Sequence, residues 1–472
     1  MKRTKKLLSL FTALAILGGS FLFAAPALAA EETDFVPVLR FIAASDTHVR
    51  DDNDVTADRI GKMLDLAYRI ADSDPAYTAL DAVLIAGDLT NDGTKTEFDK
   101  FTAALNGAKR EDTRFLGVVA KNHDGYEMPR AEMRDYYTKD TGNDPDFHVV
   151  INGYHFIGVS ASTVDLQHYD PGQIFWLKNQ LDAAVAEAPD RPVFVTHHEH
   201  VRDTVYGSSQ YDGWGVTHFS ALLKKYPQVV DFSGHSHYPL NDPRSVWQGA
   251  FTAIGTGAIY YSEFTVDKTR TYHPADSNDT ATCWIVEVDE ANRLRLRGMD
   301  VEAGECLCEY ILDNPADPAN RNYTPAKRKE TASAPVFTKS AKIAVTPTPG
   351  GCAATAPRAT STDGMPVVLY RIRAVDAKGK TVAEDWTLPC YYRAVKQTEI
   401  ELALTGLEAG EYTVTVTAEN AYGMESTPLS AKVTVDDSGC PYCHERHEGF
   451  FGPLVLFFHR VAFFFSRLFG KA

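Results

Sequence analysis

Five short segments of the chain combine side chains that bind metals, and each follows an apolar run. They are Asp46-Thr-His48, Gly87-Asp88, Asn122-His123, His197-His198 and Gly234-His235-Ser-His237. Carboxylate, imidazole and amide-oxygen ligands suit two divalent cations beside a phosphate, and the mixed set favours Zn, Mn or Fe over Mg or Ca. One Asp-x-His or His-x-His pair alone is usually a loop pair without a metal. The ordered set therefore carries the prediction of a site.

The elements that position these segments follow from the apolar runs. Buried strands are predicted over 38–44, 83–86, 115–120, 192–195 and 229–232, with later strands over 249–254 and 283–288. Helical patterns cover 55–71, 96–105, 173–185 and 215–225. Alternation of strands and helices predicts an α/β fold, in which polar residues at strand ends face a ligand. This unit is expected to span residues 35–301.

The five segments, in this order, resemble the calcineurin-like metallophosphoesterases of the purple acid phosphatase and cyclic phosphodiesterase superfamily. That pattern runs D-x-H, GDxxxxG, GNH[DE], H and GHxH, and the resemblance covers roughly residues 35–300. It implies a four-layer αββα sandwich with the ligands on loops at one edge of two sheets. It also implies that Asp46, His48 and His237 hold one metal, that Asn122, His197 and His235 hold the other, and that Asp88 bridges them. His123 would bind no metal and would donate a proton to the leaving group.

Three features depart from the family pattern. Lys121 stands where the family has the glycine before Asn-His, so it is either a tolerated extended residue or a cation that reaches the phosphate, and it bears on the placement of His123. Glu199 stands where an H-x-P pattern has proline. The segment 87–93 lacks the Asp-Arg-Gly of phosphoprotein phosphatases, which disfavours a Ser/Thr protein phosphatase.

The pair His197-His198 offers one ligand position. By the resemblance, His197 fits it, and His198 is expected to support the ligand or to face the substrate. The loop after His197 is rich in aromatic residues and glycine. The candidates for substrate contact are His198, Tyr206, Tyr211 and Trp214.

The expected reaction is hydrolysis of small phosphomonoesters or phosphodiesters, by in-line attack of a metal-bound hydroxide with His123 as general acid. The alternative is a catalytically degenerate surface-binding protein that uses its β-sandwich and tail. Lys121 and Glu199 favour this alternative, whereas retention of every predicted ligand favours an enzyme. The formal net charge of −16 argues against a nucleic-acid partner.

The length and the start of the chain set the broader organisation. The 472 residues predict two to three domains, and 44% apolar with 23% charged residues indicates a globular protein. A basic start, an apolar run over 7–23 and small residues at 27–29 predict a signal peptide over 1–29. The protein is therefore expected to be secreted or on the cell surface. Seven cysteines are too few for a disulfide scaffold, although a bridge between Cys352 and Cys390 is left open.

A second domain is predicted after a linker over 302–334, which is rich in proline, asparagine and lysine towards its end. From 335 to 435 the pattern is all-β, and residues 411–420 alternate strictly. The segment resembles a fibronectin type III or similar Ig-like sandwich. Such modules space, support or bind surface partners, so the resemblance assigns no activity.

The tail, residues 436–472, carries a second candidate metal site. Cys440, Cys443 and His447 have a spacing that suits a structural Zn, and a short-loop disulfide is the alternative. Residues 453–469 predict a short amphipathic C-terminal helix, too short to span a membrane. It is expected to lie on a membrane surface or on a partner, with internal docking as the alternative.

Overall fold

The computed structural model describes residues 35–163, 168–209, 214–265, 271–395 and 397–436. Several predictions lie outside these residues: the signal peptide, Tyr211, the Cys/His tail site and the C-terminal helix. Among the described residues, no helix is both long enough and apolar enough to cross a membrane.

The strands of the first part of the chain agree with most of the apolar runs. They are β1 (Pro37–Ala44), β2 (Ala82–Ala86), β3 (Arg114–Val118), β4 (Phe147–Ile151), β5 (Tyr154–Gly158), β6 (Val193–Thr196), β7 (His200–Val201), β8 (Gly215–Val216), β9 (Val229–Ser233), β10 (Val246–Gln248), β11 (Thr252–Gly255), β12 (Phe264–Thr265), β13 (Thr271–Tyr272), β14 (Thr282–Asp289), β15 (Leu294–Asp300) and β16 (Glu305–Leu312). The helices are α1 (Val55–Ser73), α2 (Lys95–Ala108), α3 (Arg130–Thr141), α4 (Pro171–Glu187) and α5 (Ser220–Leu223). The α/β prediction is confirmed.

Two six-stranded sheets carry the site. One has the order β16-β15-β14-β1-β2-β3, and the other has the order β10-β11-β9-β6-β5-β4. Strands β1, β2 and β3 run parallel, as do β5, β6, β9 and β11. Their buried, apolar sequences are typical of parallel strands covered on both faces. Because parallel strands end at the same edge, the loops after them meet there.

The two sheets pack face to face, with helices outside. Between the sheets, the ring of Phe41 meets those of Phe156, Phe194 and Phe232 at 5.0–5.7 Å between centroids. On the far side of the first sheet the core includes side chains of α1, α2 and α3, and on the far side of the second it includes those of α4 and α5. The layers are therefore helix, sheet, sheet and helix.

Two predicted elements differ from the structure. In the segment 215–225, Gly215 and Val216 form β8, which pairs with β7, and only Ser220–Leu223 is helical. The segment predicted as a linker begins with β16, an edge strand that pairs with β15. It also contains the helix α6 (Pro325–Thr331). An edge strand with exposed residues on one face has a diluted apolar pattern, which explains why the sequence did not reveal it.

An all-antiparallel sandwich follows. Its strands are β17 (Ala344–Thr348), β18 (Gly351–Pro357), β19 (Val367–Val375), β20 (Thr381–Thr387), β21 (Glu399–Thr405), β22 (Gly410–Asn420) and β23 (Leu429–Val435). Sheets of order β17-β18-β21 and β20-β19-β22-β23 share one apolar core. The fibronectin type III assignment stays a prediction.

The sandwich also contacts the catalytic part. The loop after β20 brings the Tyr392 hydroxyl to 2.6 Å from Asp276 Oδ1, and Arg393 to 2.8 Å from Asp276 Oδ2. Cys352 and Cys390 are both free thiols. The disulfide left open above is therefore not formed, because Cys352 is buried in β18 whereas Cys390 lies near Asp276.

Candidate metal centre

Loops at the carboxyl ends of five parallel strands carry the predicted ligands, and Asn122 is on the loop after β3. Asp46 and His48 follow β1, Asp88 follows β2, the histidine pair follows β6, and His235 and His237 follow β9. Backbone hydrogen bonds join the loops: the amides of Asp46 and His48 donate to the carbonyls of Gly87 and Asp88, both at 3.0 Å. The prediction that strand-end residues converge at one edge therefore agrees with the geometry.

Three residues form what we call the first subsite: Asp46, His48 and His237. Nε2 of His237 lies 3.1 Å from Asp46 Oδ1, and Nε2 of His48 lies 3.1 Å from Nε2 of His237. Nε2 of His48 is 3.8 Å from both Asp46 Oδ1 and Asp88 Oδ2. These three side chains and that of Asp88 are all buried, so the subsite lies in a low-dielectric setting where charges need partners.

The second subsite consists of Asn122, His198 and His235. Asp88 Oδ2 lies 3.1 Å from Nε2 of His198 and 3.2 Å from the side-chain amide nitrogen of Asn122. Nδ1 of His235 is 3.2 Å from Nε2 of His198 and 3.4 Å from the Asn122 amide nitrogen. One oxygen of Asp88 thus faces both subsites, which is the geometry of a bridging carboxylate.

The backbone holds these ligands in an unusual conformation. Of the eight non-glycine residues with positive φ among the described residues, five are Asp46, His48, Asp88, His235 and His237, with φ from 42° to 70°. The left-handed region is disfavoured for L residues, and its use is concentrated at functional sites. The loops therefore fix the direction of the side chains before any ligand binds.

The donor set fits divalent cations. Asp88 Oδ1 and Asn122 Oδ1 are buried and have no hydrogen-bond partner among the described residues. In each subsite two imidazole nitrogens face each other at 3.1 or 3.2 Å. Two imidazole lone pairs at that distance repel unless a proton or a cation lies between them. The amide, carboxylate and imidazole donors are those that Zn, Mn and Fe accept.

Burial alone would lower the pKa of His198 and of His237, but Asp88 and Asp46, respectively, outweigh it and raise both pKa values. For the other two imidazole ligands burial dominates. It lowers the pKa of His48 and of His235 to about 4, so both rings are neutral ligands near neutral pH. Burial alone would raise the pKa of Asp46, but His237 and His48 outweigh it and bring that pKa well below its usual value. For Asp88, His198 likewise outweighs burial and lowers the pKa. The carboxylates are therefore ionised.

The assignment of His197 as a ligand is not supported by the geometry. Nε2 of His197 lies 2.9 Å from Asp231 Oδ1, both side chains are fully buried, and the ring packs on Phe219. His197 lies on the side of β6 that faces the helices, with Val193 and Val195, whereas the alternate residue His198 reaches the site between the sheets. Nδ1 of His198 lies 2.8 Å from the carbonyl of Ala86, an arrangement that directs Nε2 towards Asp88. His198 thus takes the position expected of His197.

His123 lies beside the first subsite and outside both ligand clusters. Its Nδ1 is 2.7 Å from the carbonyl oxygen of Asn91, and its ring centroid is 4.3 Å from that of His48. If Nδ1 donates to this carbonyl, Nε2 is left as the basic atom of the ring. Lys121, at the glycine position, does not displace His123 from the centre.

The two departures Lys121 and Glu199 belong to one network behind the second subsite. The buried Glu199 carboxylate lies 2.6 Å from Nδ1 of His168 and accepts a hydrogen bond of 2.5 Å from Tyr169. Lys121 Nζ is 3.4 Å from Nε2 of the same His168. Burial would raise the pKa of Glu199, but His168 and His198 outweigh it and lower the pKa strongly. The two substitutions are therefore mutually compatible, and Lys121 is engaged with His168.

Sequence reasoning missed three residues around the centre. Asp124 is fully buried and accepts hydrogen bonds from the amides of Thr90 and Ala120 at 2.9 and 2.8 Å, so it joins the loops of Asp88 and Asn122. Tyr260 and Tyr261 form an aromatic wall at the first subsite, with ring centroids 5.3 Å from His48 and 4.2 Å from His237 respectively. They follow β11, another parallel strand that ends at this edge, and that position was a usable signal.

The four residues predicted to contact the substrate lie in different places. The ring of Trp214 lies 5.9 Å from that of His235 and therefore borders the second subsite. Tyr206 does not face the ligands: it packs on Tyr238, under the guanidinium of Arg244 at 3.8 Å, and lines a different cavity. His198 occupies a ligand position, and Tyr211 lies outside the described residues.

Comparison with known proteins agrees with the geometry. Residues 39–239 match the model of the Calcineurin-like phosphoesterase family. Over 201 residues the chain is 25% identical to "Probable glycerophosphodiester phosphodiesterase GpdQ" of Arcobacter nitrofigilis, a match that covers 42% of this chain and 71% of that protein.

Two solved structures show weaker likeness. Purple acid phosphatase PPD1 from yellow lupin (Lupinus luteus) seeds has a TM-score of 0.41 and 13% identity, over 58% of this chain and 53% of that one. A PKD domain of an M14-like peptidase from Thermoplasmatales archaeon SCGC AB-540-F20 has a TM-score of 0.16 and 22% identity, over 22% of this chain and 97% of the domain. The chain thus spans about half of the lupin protein, and scores this low assign neither fold nor function.

Proposed function

We propose that this chain, whose residues 39–239 belong to the calcineurin-like phosphoesterase family, is a metal-dependent enzyme that hydrolyses small phosphodiesters. The observation that carries the proposal is the position of Asp88: one of its oxygens faces both His198 and His48, at 3.1 and 3.8 Å. Two divalent cations held there would polarise the phosphoryl group and lower the pKa of a bound water. Convergence of two ligand sets, of which the first is fully buried, also argues against a degenerate binding protein.

The ligand roles in this proposal follow the two subsites. One cation would be held by Asp46, His48 and His237, the other by Asn122, His198 and His235, and Asp88 would be shared. His197 is assigned a structural role with Asp231. The metal identity is proposed as Zn, Mn or Fe, from the mixture of carboxylate, imidazole and amide donors.

His123 is proposed as the general acid. Its Nδ1 is engaged with the Asn91 carbonyl, so Nε2 would carry the proton that the departing alkoxide receives. Since the ring packs on His48, the leaving group would depart on the side of the first subsite. His123 would act on the substrate and would not hold the cations.

A diester is favoured by the charges of the ligand loops. A phosphomonoester carries close to two negative charges near neutral pH and a diester carries one, so a monoester gains more from an additional cation. Among the described residues, the ligand loops carry four cationic side chains, and all have partners. Arg50 contacts Asp52 and Asn91 at 3.0 and 3.1 Å, and Lys121 contacts His168. Arg202 donates to the Gly215 carbonyl at 3.1 Å, and Arg244 donates to Asp242 at 2.8 Å. The similarity to a protein named as a probable glycerophosphodiester phosphodiesterase points in the same direction.

The substrate class is tested with the full chain loaded with Mn or Zn. Bis(p-nitrophenyl) phosphate should be hydrolysed with a higher kcat/KM than p-nitrophenyl phosphate. A preference for the monoester would refute the diester assignment and leave the metal centre intact as a proposal. Equal metal content in both assays is checked by mass spectrometry.

The acid role of His123 is tested by changing the leaving group. His123→Ala should lower kcat by about 10²- to 10⁴-fold for an alkyl phosphodiester, whose alkoxide needs a proton. With the p-nitrophenyl diester, kcat should fall much less, because its leaving group departs as a stable anion without protonation. Tyr126→Phe is the matched control, since Tyr126 packs on the same ring at 4.8 Å and the substitution removes only its hydroxyl. Equal losses on both substrates would contradict the acid role.

Export and surface attachment are also part of the proposal. They rest on the pattern of residues 1–29 and on the cysteine, histidine and amphipathic pattern of residues 436–472. The N-terminal sequence of the mature protein should begin after Ala29. Liposome co-sedimentation of the chain with and without residues 436–472 tests the tail, and equal binding would remove the membrane proposal.

A further inference from the structure

A cavity lies away from the metal ligands, lined by residues of the catalytic part, the linker and the β-sandwich. Its volume is about 370 Å³, within the range of small-molecule sites. The loop 203–209, Arg244, Trp247, the linker residues Tyr323 and Arg328, and Tyr422 of the sandwich line it. None of these residues belongs to either metal subsite.

Arg328 is the unusual residue of this cavity. It is 5% exposed, and its Nε and Nη2 atoms are buried with no hydrogen-bond partner among the described residues. The rings of Tyr323 and Tyr310 lie 4.5 and 5.1 Å from its Cζ, and the Tyr422 side chain also approaches it. Cation–π contacts do not satisfy the N–H donors, so a buried guanidinium without a carboxylate partner is costly.

The other charged groups of the cavity have partners. Arg244 makes hydrogen bonds of 2.8 and 2.7 Å to the two carboxylate oxygens of Asp242, so its charge is neutralised. Asp203 is exposed at the rim and accepts a hydrogen bond of 2.8 Å from Ser209. The cavity therefore offers an incoming ligand one uncompensated positive charge, on Arg328.

We propose that this cavity binds a small organic anion. A carboxylate or a phosphate-type group would accept hydrogen bonds from the guanidinium of Arg328, a planar fork that matches such anions. The apolar or planar body of the ligand would pack against Trp247 and the Tyr206 ring. Aromatic walls around one fixed charge are the usual composition of small-molecule sites.

The anion cavity does not depend on the proposed hydrolysis. It is nevertheless close to the metal centre, because only one loop separates the two. The loop 203–209 lines the cavity, and on its other side Gly207 packs tightly against Ser236 and Tyr238, next to the ligands His235 and His237. A Cβ atom at Gly207 would lie 2.8 Å from Cβ of Ser236. The cavity and the centre thus share a wall but no residue.

The proposal is tested by calorimetric titration of the full chain with benzoate and phenylphosphonate, against neutral benzamide. At millimolar concentrations at least one anion should bind with a stoichiometry of one, and benzamide should bind at least about tenfold more weakly. The chain freed of metal by dialysis against a strong chelator should retain this binding, which separates the cavity from anion binding at the metals. Absence of binding by both anions, or equal affinity for benzamide, would overturn the proposal.

Two variants locate the bound anion. Arg328→Met should weaken binding by at least about tenfold, whereas Lys329→Met, at the exposed next position of α6, should not change it. Thr204→Trp should block the cavity while leaving Arg328 in place, so it covers the case in which the arginine variant does not fold. Anion binding that survives in either folded variant would place the ligand elsewhere and end the proposal.

Discussion

The two metal subsites share Asp88 but differ in charge and in how they are held. The first subsite has a carboxylate of its own, Asp46, whereas the second has only the amide of Asn122 and two imidazoles besides the shared Asp88. The side chains of the first subsite are buried, and His235 in the second is half-buried. More anionic ligands and less solvent give tighter binding of a divalent cation. The second cation should therefore be the weaker one.

The supports of the two subsites differ as well. Asp46, His48 and His237 are all directed by left-handed backbone, with φ of 55°, 42° and 55°. In the second subsite, only His235 has a positive φ, and His198 is directed by its contact with the Ala86 carbonyl. The comparison suggests that the first subsite is preformed by the chain, whereas the second depends on side-chain contacts that a single substitution can remove.

The largest effect is expected where the subsites meet. Asp88→Asn should lower the cation content from about two equivalents to one or fewer, because it removes the one anionic ligand that both cations share. Activity on a diester should fall by about 10³-fold, the upper range for loss of one electrostatic contact in an active site. Metal analysis and kcat/KM measure the two effects. Full activity in Asp88→Asn would remove the dinuclear proposal.

Variants of the adjacent histidines should distinguish the metal ligand from the residue with a structural role. His198→Ala should remove the second cation and lower activity by about 10²-fold, with the first cation retained. His197→Ala should keep both cations but lower the free energy of unfolding by about 3–5 kcal/mol, because it leaves the buried Asp231 without its partner. Metal content and denaturant unfolding of both variants decide between the assignments. The reverse outcome would restore His197 as the ligand.

Stepwise removal of metal directly tests the expected difference in cation affinity between the two subsites. Dialysis against a weak chelator should release the two cations in separate steps, with affinities that differ by about tenfold or more. His198→Ala should show only the tighter step. Asp46→Asn should bring the two steps together, because it removes the extra charge of the first subsite. Release of both cations in a single step from the unaltered chain would contradict the comparison.

Residue types at strand ends predicted most of the site. Asp46, Asp88 and His235 were identifiable because they follow buried runs, and parallel strands of the same sheet end at the same edge. The prediction of His197 as a ligand follows the family pattern, whereas strand alternation favours His198, because Val193 and Val195 already mark the face turned towards the helices.

The remaining differences depend on contacts that are distant in the sequence. Asp124 occupies the acidic position of the GNH[DE] pattern, but its role depends on bonds to backbone amides 34 and 4 residues away, which the pattern does not describe. Tyr206 lies in a loop whose aromatic and glycine-rich composition is typical of substrate contacts, but the side chain packs under Arg244 instead. The edge strand β16 gave a weak signal because one of its faces is exposed.

The smallest effect concerns the glycine beneath the second subsite. Gly87 has φ of 86°, and a Cβ atom there would lie 2.7 Å from Nδ1 of His198. Gly87→Ala should therefore displace the His198 ring and strain the backbone, which lowers the free energy of unfolding by about 1–3 kcal/mol. Gly87→Ala should also lower the binding affinity for the second cation more than that for the first, as measured by the same dialysis against a weak chelator. Gly61→Ala is the matched control, because a Cβ atom there would meet no atom within 4 Å other than the backbone of α1 and the neighbouring residues, and alanine should stabilise the helix by about 0.5–1 kcal/mol. If Gly87→Ala lowered the affinity for both cations equally, the second subsite would not be the one that depends on side-chain packing.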